Sequence, residues 1–259
     1  MIKVNNLSFR YNKDTKLILD NISLTVEKSS VISIIGLNGS GKTTLIKLLT
    51  GILKSDEGNI YIDNKDLRNL SFDERSRLIS YVPQLVRADY DFIVLDYLSF
   101  SLANRININR SPSKEELEKI VETSKLFGIE HLLDKKINKL SGGEKQIVSI
   151  CSAFVQDSPV IILDEPTSAL DLKNQSDIIK ILKKQSSKNN KTFILSTHNP
   201  NHALSLGGYS VLLHNNKILK YGASREIVTV DNLKPIYGDT VDYATNIKYD
   251  VITTVDWSS

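Results

Sequence analysis

Gly36-Leu37-Asn38-Gly39-Ser40-Gly41-Lys42-Thr43 decides the fold of this chain, because it matches the phosphate-binding pattern G-x-x-x-x-G-K-[ST]. The apolar residues 31–35 before it predict a buried parallel strand, and the pattern of residues 44–49 predicts a helix. The glycines let backbone N–H groups surround phosphate oxygens. Lys42 can then reach the β- and γ-phosphates, and the Thr43 hydroxyl can ligate Mg²⁺. This strand–loop–helix arrangement predicts a nucleotide-binding site.

A second buried strand is predicted by Val160-Ile161-Ile162-Leu163, which is followed by Asp164 and Glu165. Ligands of open α/β sheets bind at the carboxyl ends of the strands, so both carboxylates are expected there. Asp164 suits Mg²⁺, and Glu165 can polarise the water that attacks the γ-phosphate. The alternative is a solvated acidic strand end ahead of a turn at Pro166.

A second anion site is predicted at Leu140-Ser141-Gly142-Gly143-Glu144. Ser141 has the pattern of a helix N-cap and Glu144 that of its capping-box partner, so a helix should begin here. The two glycines allow a ligand to approach the backbone, and the N–H groups and dipole of the helix end favour an anion. Taken alone, the same pattern also fits an ordinary capped helix on the surface.

Gln84 and His198 are further candidates for the nucleotide site. Gln84 follows an apolar segment and a proline, so its amide can contact Mg²⁺ or the attacking water, although a turn residue has the same pattern. His198 follows the apolar residues 193–197, which predict a strand ending at the same sheet edge. Asn199 and Pro200 then predict the N-cap and first position of a helix. The other histidines, expected on the surface or in packing, are His131, His202 and His214.

Together these residues resemble the ATP-binding subunits of ABC transporters, over residues 2–222. The resemblance implies an α/β fold: a P-loop NTPase core with an antiparallel β subdomain and an inserted α-helical subdomain. The matching motifs are Tyr11 as the aromatic that stacks on adenine, Gly36 to Thr44 as Walker A, Gln84 as the Q-loop, Leu140 to Glu144 as the signature, Asp164 and Glu165 as Walker B, Ser168-Ala169-Leu170-Asp171 as the D-loop, and His198 as the switch histidine.

The resemblance also implies ATP hydrolysis with Mg²⁺ in a head-to-tail dimer of two copies. The signature helix of one copy would close over the γ-phosphate held by the loop of the other. The implied roles are Lys42 for phosphate charge, Glu165 as general base, His198 as holder of the γ-phosphate and water, Asp171 for communication across the dimer, the signature residues Ser141, Gly142, Gly143 and Glu144 as phosphate contacts, and Thr43, Gln84 and Asp164 as Mg²⁺ ligands.

Composition is consistent with a peripheral subunit. Hydrophobic residues make up 41% of the 259 residues, yet no apolar run approaches the roughly 18 residues that cross a bilayer. Met1-Ile2-Lys3-Val4 leads directly into a predicted strand, so no signal peptide is expected. The formal net charge of +3 is too small to indicate a nucleic acid partner. The lone Cys151 is predicted to be a buried spacer.

We therefore expect one ABC ATPase domain over residues 1–259 on the cytoplasmic face of the cell membrane. It would contain a helical subdomain near residues 84–156, with its clearest helix at 115–127, and a C-terminal extension near 223–259. Composition assigns no structure to residues 231–259. The partners implied are polytopic permease subunits and, through them, a substrate-binding protein. About half of the aromatic, apolar segment 85–100 would pack internally, and the remainder would form the groove that receives a permease helix.

Several short segments resemble the ATPases of iron-chelate, haem and cobalamin importers. They include Leu70-Ser71, Ile227-Val228-Thr229 and Ile236-Tyr237-Gly238. His198-Asn199-Pro200 is also similar to a branch with molybdate and tungstate importers. An importer of a metal chelate, haem, cobalamin or oxyanion is therefore expected. The alternatives are a soluble ABC ATPase in a process such as iron–sulfur assembly, and a nucleotide-gated interaction protein with negligible turnover.

Overall fold

The computed structural model describes residues 1–84, 91–102, 112–188, 190–239, 241–245 and 250–254. The strands are β1 (Ile2–Phe9), β2 (Leu19–Val26), β3 (Val31–Ile35), β4 (Glu57–Ile62), β5 (Lys65–Asp66), β6 (Ile79–Val82), β7 (Val160–Leu163), β8 (Thr192–Thr197), β9 (Tyr209–His214), β10 (Lys217–Ala223), β11 (Val241–Thr245) and β12 (Asp250–Thr254). The helices are α1 (Lys42–Leu49), α2 (Phe72–Leu78), α3 (Val94–Phe100), α4 (Lys114–Leu126), α5 (Gly142–Gln156), α6 (Leu172–Lys188), α7 (Pro200–Leu206), α8 (Ser224–Ile227) and α9 (Val230–Tyr237).

The chain divides into two units, which are described separately. One unit comprises Met1–Asn69 and Ile194–Ser259, and the other comprises Leu70–Phe193. The helical subdomain expected near residues 84–156 stays a prediction, because the units divide the chain at other positions. None of the helices in the described ranges is long and apolar enough to cross a membrane.

The first unit contains an antiparallel sheet with the strand order β2-β1-β4-β5. β4 and β5 form a tight hairpin through Asp63 and Asn64, which both have positive φ, at 47° and 66°. Two successive residues with positive φ match the right-handed twist of the strands, and Asp and Asn tolerate this conformation.

The same unit contains the strands in the order β10-β9-β3-β8, where residues 194–197 represent β8. β9 runs parallel to β3, and β10 returns antiparallel to β9 through a turn at Asn215 and Asn216, which both have positive φ. All five side chains of β3 are buried, as expected of a strand covered on both faces. The carboxyl end of β3 leads directly into the phosphate-binding sequence.

In the second unit β6 and β7 are parallel neighbours, with Ile79 opposite Val160 and Val82 opposite Leu163. Helices α3, α4 and α5 pack against one another, and α5 also packs against these strands. Cys151 on α5 is fully buried, which confirms the predicted spacer. Burial raises the pKa of its thiol to about 12, so the group stays protonated and unreactive at neutral pH.

The C-terminal residues, to which composition assigned no structure, contain regular elements. Helix α9 is followed by the antiparallel hairpin of β11 and β12. Leu233 and Ile236 of α9 and Ile252 of β12 join a buried cluster with Ala203 of α7. These apolar side chains are widely spaced in the sequence, so their common core depends on packing between separate elements.

Candidate functional site

The phosphate-binding loop of the first unit needs glycine at its junction with α1. Gly41 is the N-cap of α1 and has φ 101°, in the left-handed region. A Cβ atom there would lie 2.9 Å from Leu19 Cδ2 and 3.0 Å from the Ile18 carbonyl oxygen, so both conformation and space exclude a side chain. No side chain caps this helix end, which leaves its first N–H groups for an anion.

Lys42 lies beneath this loop with only 4% of its surface exposed. Its Nζ donates hydrogen bonds to the carbonyl oxygens of Gly36 at 2.9 Å and Leu37 at 3.1 Å. A buried ammonium group favours a nearby anion, because its own hydration has been lost. The buried Ser40 hydroxyl has no hydrogen-bond partner among the described residues. The loop therefore offers a positive charge, a hydroxyl group and backbone N–H groups, which fits a phosphate chain.

Tyr11, the predicted adenine-stacking residue, is connected to the same loop. Its hydroxyl oxygen lies 3.2 Å from Thr44 Oγ1 at the start of α1. Phe9 packs edge-to-face against the ring, with 5.0 Å between the ring centroids. The ring is otherwise exposed, so a purine base has access to it.

In the second unit the parallel arrangement of β6 and β7 brings the predicted acidic residues together with Gln84. The Asp164 N–H donates to the Val82 carbonyl oxygen at 2.9 Å, which continues the pairing of the two strands. Gln84 Nε2 donates to Glu165 Oε2 at 3.4 Å. Glu165 is 6% exposed and has φ 44°, an uncommon conformation for a residue other than glycine. This backbone conformation sets the direction in which the Glu165 side chain points at the end of β7.

Tyr81 of β6 lies near Asp164 and is affected by it electrostatically. Burial, with a further contribution from Asp164, raises the pKa of Tyr81 to about 12. Asp164 itself is 1% exposed. A buried carboxylate at a strand end is a favourable ligand for a hard cation such as Mg²⁺. No group of three or more His, Cys, Asp or Glu side chains suited to a metal occurs in the part of the chain that the structure describes.

The predicted capping box at Ser141 is present at the start of α5. Ser141 accepts a hydrogen bond from the Glu144 N–H at 3.2 Å, and the Ser141 N–H donates to Glu144 Oε2 at 2.8 Å. The Ser141 hydroxyl also donates to Glu144 Oε2 at 2.8 Å, and the bonds donated by the Ser141 N–H and hydroxyl lower the pKa of the Glu144 carboxyl group. Ser141 and Gly142 are exposed, and a Cβ atom on Gly142 would meet no described atom within 4 Å. The beginning of the signature helix is therefore accessible to a large ligand or a partner chain.

Asp171 acts locally as the cap of α6, a role the sequence analysis did not assign. Its Oδ1 accepts from the Asn174 N–H at 2.7 Å, and its Oδ2 accepts from Asn174 Nδ2 at 3.2 Å. The pattern of Asp followed three residues later by a polar side chain is a recognisable capping signal. The next residue, Leu172, is 84% exposed. Communication across a dimer stays a prediction for Asp171.

His198 lies exposed at the carboxyl end of β8, as predicted. Asn199 caps α7 by accepting from the Asn201 N–H at 3.0 Å, and Pro200 occupies the first helical position. The His202 ring is half-buried beside Asn199, and burial lowers its pKa, with a further contribution from His198. Sequence reasoning did not anticipate that Tyr237 donates a hydrogen bond to the backbone carbonyl oxygen of His198.

Comparison with known proteins identifies the family. The model of the ABC transporter family matches residues 19–168, which is more than half of the chain. The chain belongs to the ABC transporter family. It is an ATP-binding and ATP-hydrolysing subunit, and the predicted ABC ATPase fold is confirmed.

Similar proteins extend this ABC ATPase match over nearly the whole chain. A Helicobacter pylori protein described as a probable iron chelatin transport ATP-binding protein is 37% identical over 92% of each chain. A solved structure described as an inward-facing conformation of a putative metal-chelate type ABC transporter has a TM-score of 0.84 at 26% identity, covering 99% of this chain and 98% of the other. A dimeric ATP-binding cassette bound to ADP and Pi has a TM-score of 0.78 at 29% identity, covering 87% and 99%.

Proposed function

We propose that this ABC ATPase powers the import of a metal chelate through separate permease subunits, to which it binds peripherally at the membrane. The likeness to the metal-chelate type transporter, over almost the full length of both chains, is the observation that carries the proposal. The Helicobacter pylori relative supports the same class of cargo. A substrate-binding protein would deliver the chelate to the permease, and haem, cobalamin and oxyanions are the related cargoes that the experiments below distinguish.

We propose Phe92, Tyr97, Phe100 and Ser101 as the surface that receives a short permease helix. These residues line a groove of about 340 Å³. The rings of Phe92 and Phe100 pack edge-to-face, with 5.2 Å between the ring centroids, and both side chains are exposed. Val94 and Leu98 of α3, in contrast, are buried. The predicted apolar segment thus divides into packing residues and groove residues, while its residues 85–90, Tyr90 among them, lie outside the described ranges.

The groove leads to a prediction about assembly. Phe100→Asp should remove the permease from the complex, because a carboxylate would have to be buried against an apolar helix. Phe72→Asp is the matched control, since Phe72 is 76% exposed in the same unit and Phe100 is 55% exposed. The measurement is a pull-down of each tagged variant, in the Glu165→Gln background, from detergent-solubilised native membranes with Mg-ATP, followed by mass spectrometry.

The same pull-down tests the proposed function. A polytopic membrane protein recovered with Phe72→Asp and lost with Phe100→Asp would support the proposal. A binding protein recovered with it would identify the cargo class once its bound ligand is analysed. Recovery of non-membrane proteins alone would contradict the importer and favour the alternative in iron–sulfur assembly or a similar process. Equal recovery of a permease by both variants would contradict only the groove.

For the chemistry, we propose that the loop at Gly36 to Thr43 binds the phosphates of ATP, with Lys42 as their buried positive charge. Thr43, Gln84 and Asp164 are the oxygen ligands proposed for Mg²⁺. When bound, it neutralises charge on the β- and γ-phosphates. Glu165 would accept a proton from the attacking water, and Gln84 holds one of its oxygens in place.

We further propose that two copies dimerise head to tail around ATP. The exposed start of α5 would bring the N–H groups of Gly142 and Gly143 to the γ-phosphate held by the other copy. Glu144 already contributes a negative charge at this helix end, and this charge opposes the binding of another anion. Binding of the γ-phosphate therefore depends on those N–H groups and on closure of the dimer. The exposed Leu172 beside Asp171 supplies apolar surface for the contact. Loss of the shared phosphate after hydrolysis would then favour separation.

Ser141→Arg tests this dimer. We expect the variant to bind ATP as a monomer within about threefold of the unaltered affinity, since a lost cap costs only about 1 kcal/mol of stability. It should form no ATP-induced dimer, because the arginine would occupy the space into which the partner's phosphate must enter. The measurement is light scattering after size-exclusion chromatography, with the Ser141→Arg variant and its control in the Glu165→Gln background.

Ser71→Arg is a close control for that experiment. Ser71 forms the same capping box with Glu74, with hydrogen bonds of 2.8 and 3.2 Å, at the start of α2. Both variants therefore lose the same local interactions, and only one changes the signature. An ATP-induced dimer of Ser141→Arg equal to that of Ser71→Arg would exclude the proposed role of the signature helix.

A further inference from the structure

Residues near the C-terminus contact the loop that carries His198. Tyr237, the last residue of α9, donates its hydroxyl hydrogen to the His198 carbonyl oxygen, with 3.0 Å between the oxygen atoms. Residues 198 and 237 are 39 positions apart in the chain, so this bond exists only because α9 packs in this place. A carbonyl oxygen held in this way restricts the peptide plane that follows His198.

A second contact holds the other side of the same loop. Asn201, in the first turn of α7, donates from Nδ2 to the Ile252 carbonyl oxygen at 2.7 Å and accepts from the Ile252 N–H at 3.0 Å. The Asn201 side-chain amide thus makes the same two hydrogen bonds with Ile252 that the backbone of a neighbouring strand would make. The turn after His198 is therefore fixed to α9 by its backbone and to β12 by Asn201.

The elements that form these contacts share one buried apolar cluster. Leu233, Ile236 and Ile252 are buried together with Ala203 of α7, and the Tyr237 ring packs against this cluster. The imidazole of His198, in contrast, is exposed. The backbone of His198 is thus held by Tyr237, which packs on this cluster, while the His198 side chain is exposed.

We propose that Tyr237 is a positioning residue for ATP hydrolysis, which acts through the His198 backbone to set the position of the imidazole. The inference rests on the proposed ATP hydrolysis and on the role that the family resemblance implies for His198, which is to hold the γ-phosphate and the attacking water. An imidazole that is already placed for the γ-phosphate and water requires no rearrangement of the loop when the reaction begins. The C-terminal helix and hairpin then act in catalysis as well as in stability.

Tyr237→Phe tests the proposal, because it removes the hydroxyl group and keeps the ring in the cluster. We expect kcat to fall about five- to tenfold, as loss of one hydrogen bond acting on the barrier would cause, with the KM for ATP changed less than about twofold. Tyr221→Phe is the matched control. The Tyr221 hydroxyl donates to the Thr25 carbonyl oxygen, so this variant also loses one bond between a tyrosine and the backbone. It should retain its kcat.

A double-mutant cycle with His198→Ala separates positioning from stability. If Tyr237 acts through the imidazole, adding Tyr237→Phe to His198→Ala should change kcat less than about twofold. An equal loss of kcat in both backgrounds would overturn the inference and assign Tyr237 a structural role only. Unchanged kcat in Tyr237→Phe, with a loss in His198→Ala, would overturn it while leaving the function proposed for His198 intact. Unchanged kcat in His198→Ala would overturn both.

Discussion

Glu165→Gln is expected to lower kcat for ATP hydrolysis on the order of 10² to 10⁴-fold while ATP continues to bind, which is the range for loss of a general base. Glutamine has the shape of glutamate and retains one oxygen that can accept from Gln84 Nε2, now at 3.4 Å from Glu165 Oε2. Its amide cannot accept the proton of the attacking water. Because ATP is bound and not consumed, the variant should also accumulate as an ATP-bound dimer.

Phosphate release and light scattering measure the two parts of this prediction. Glu118→Gln is the matched control, because it makes the same isosteric change at an exposed position of α4. That variant should hydrolyse ATP at the unaltered rate and form no stable dimer. Hydrolysis by Glu165→Gln at the control's rate would refute the assignment of Glu165 as the base. A slow variant that remains monomeric with ATP would refute the proposed dimer.

The elements that carry the chemistry could be predicted because their signals are local. The run of residues 31–35 and the run before Asp164 are short and apolar, and both form buried strands. The capping box of Ser141 and Glu144 depends on residues three positions apart, and it is present with the expected bonds. Such patterns act within one turn or strand, so the residues that interact lie close together in the sequence.

The C-terminal region could not be predicted for the opposite reason. Asn201 bonds to Ile252, which lies 51 positions away, and the apolar residues of α9 are interrupted by polar residues and by Pro235. Neither helix nor hairpin has a strong pattern of its own, and each is stabilised by the other and by α7. Tertiary packing decides the structure of such segments.

The backbone conformation of Glu165 could not be predicted from the sequence either. Nothing in the sequence around Glu165 indicates that this residue has a positive φ, since Glu seldom adopts one. Asp171 differs, because its spacing to Asn174 contains a capping signal that is recognisable in the sequence. The family resemblance implies a role for Asp171 between subunits, and the capping signal indicates a local role as well.

Lys42→Ala is expected to abolish measurable turnover, with kcat at least about 10²-fold lower, and to weaken ATP binding. The Lys42 ammonium group is buried under the phosphate-binding loop and held by the Gly36 and Leu37 carbonyl oxygens. Alanine removes both the charge that attracts the phosphates and the donor that fixes the loop. Without ATP the stability should change little, because the two lost hydrogen bonds are offset by relief from burying a charge.

Thermal unfolding tests this reasoning separately from activity. A ligand present at about 100 times its Kd stabilises the folded state by about 2.7 kcal/mol, so the unaltered protein should melt at a higher temperature with ATP. Lys42→Ala should lose this ATP-dependent increase. Lys47→Ala removes the same charge from the last turn of the same helix, where the side chain is half-exposed, and should keep it. An equal increase in both variants would mean that ATP is held by groups other than the buried ammonium, which is the central electrostatic assumption for this site.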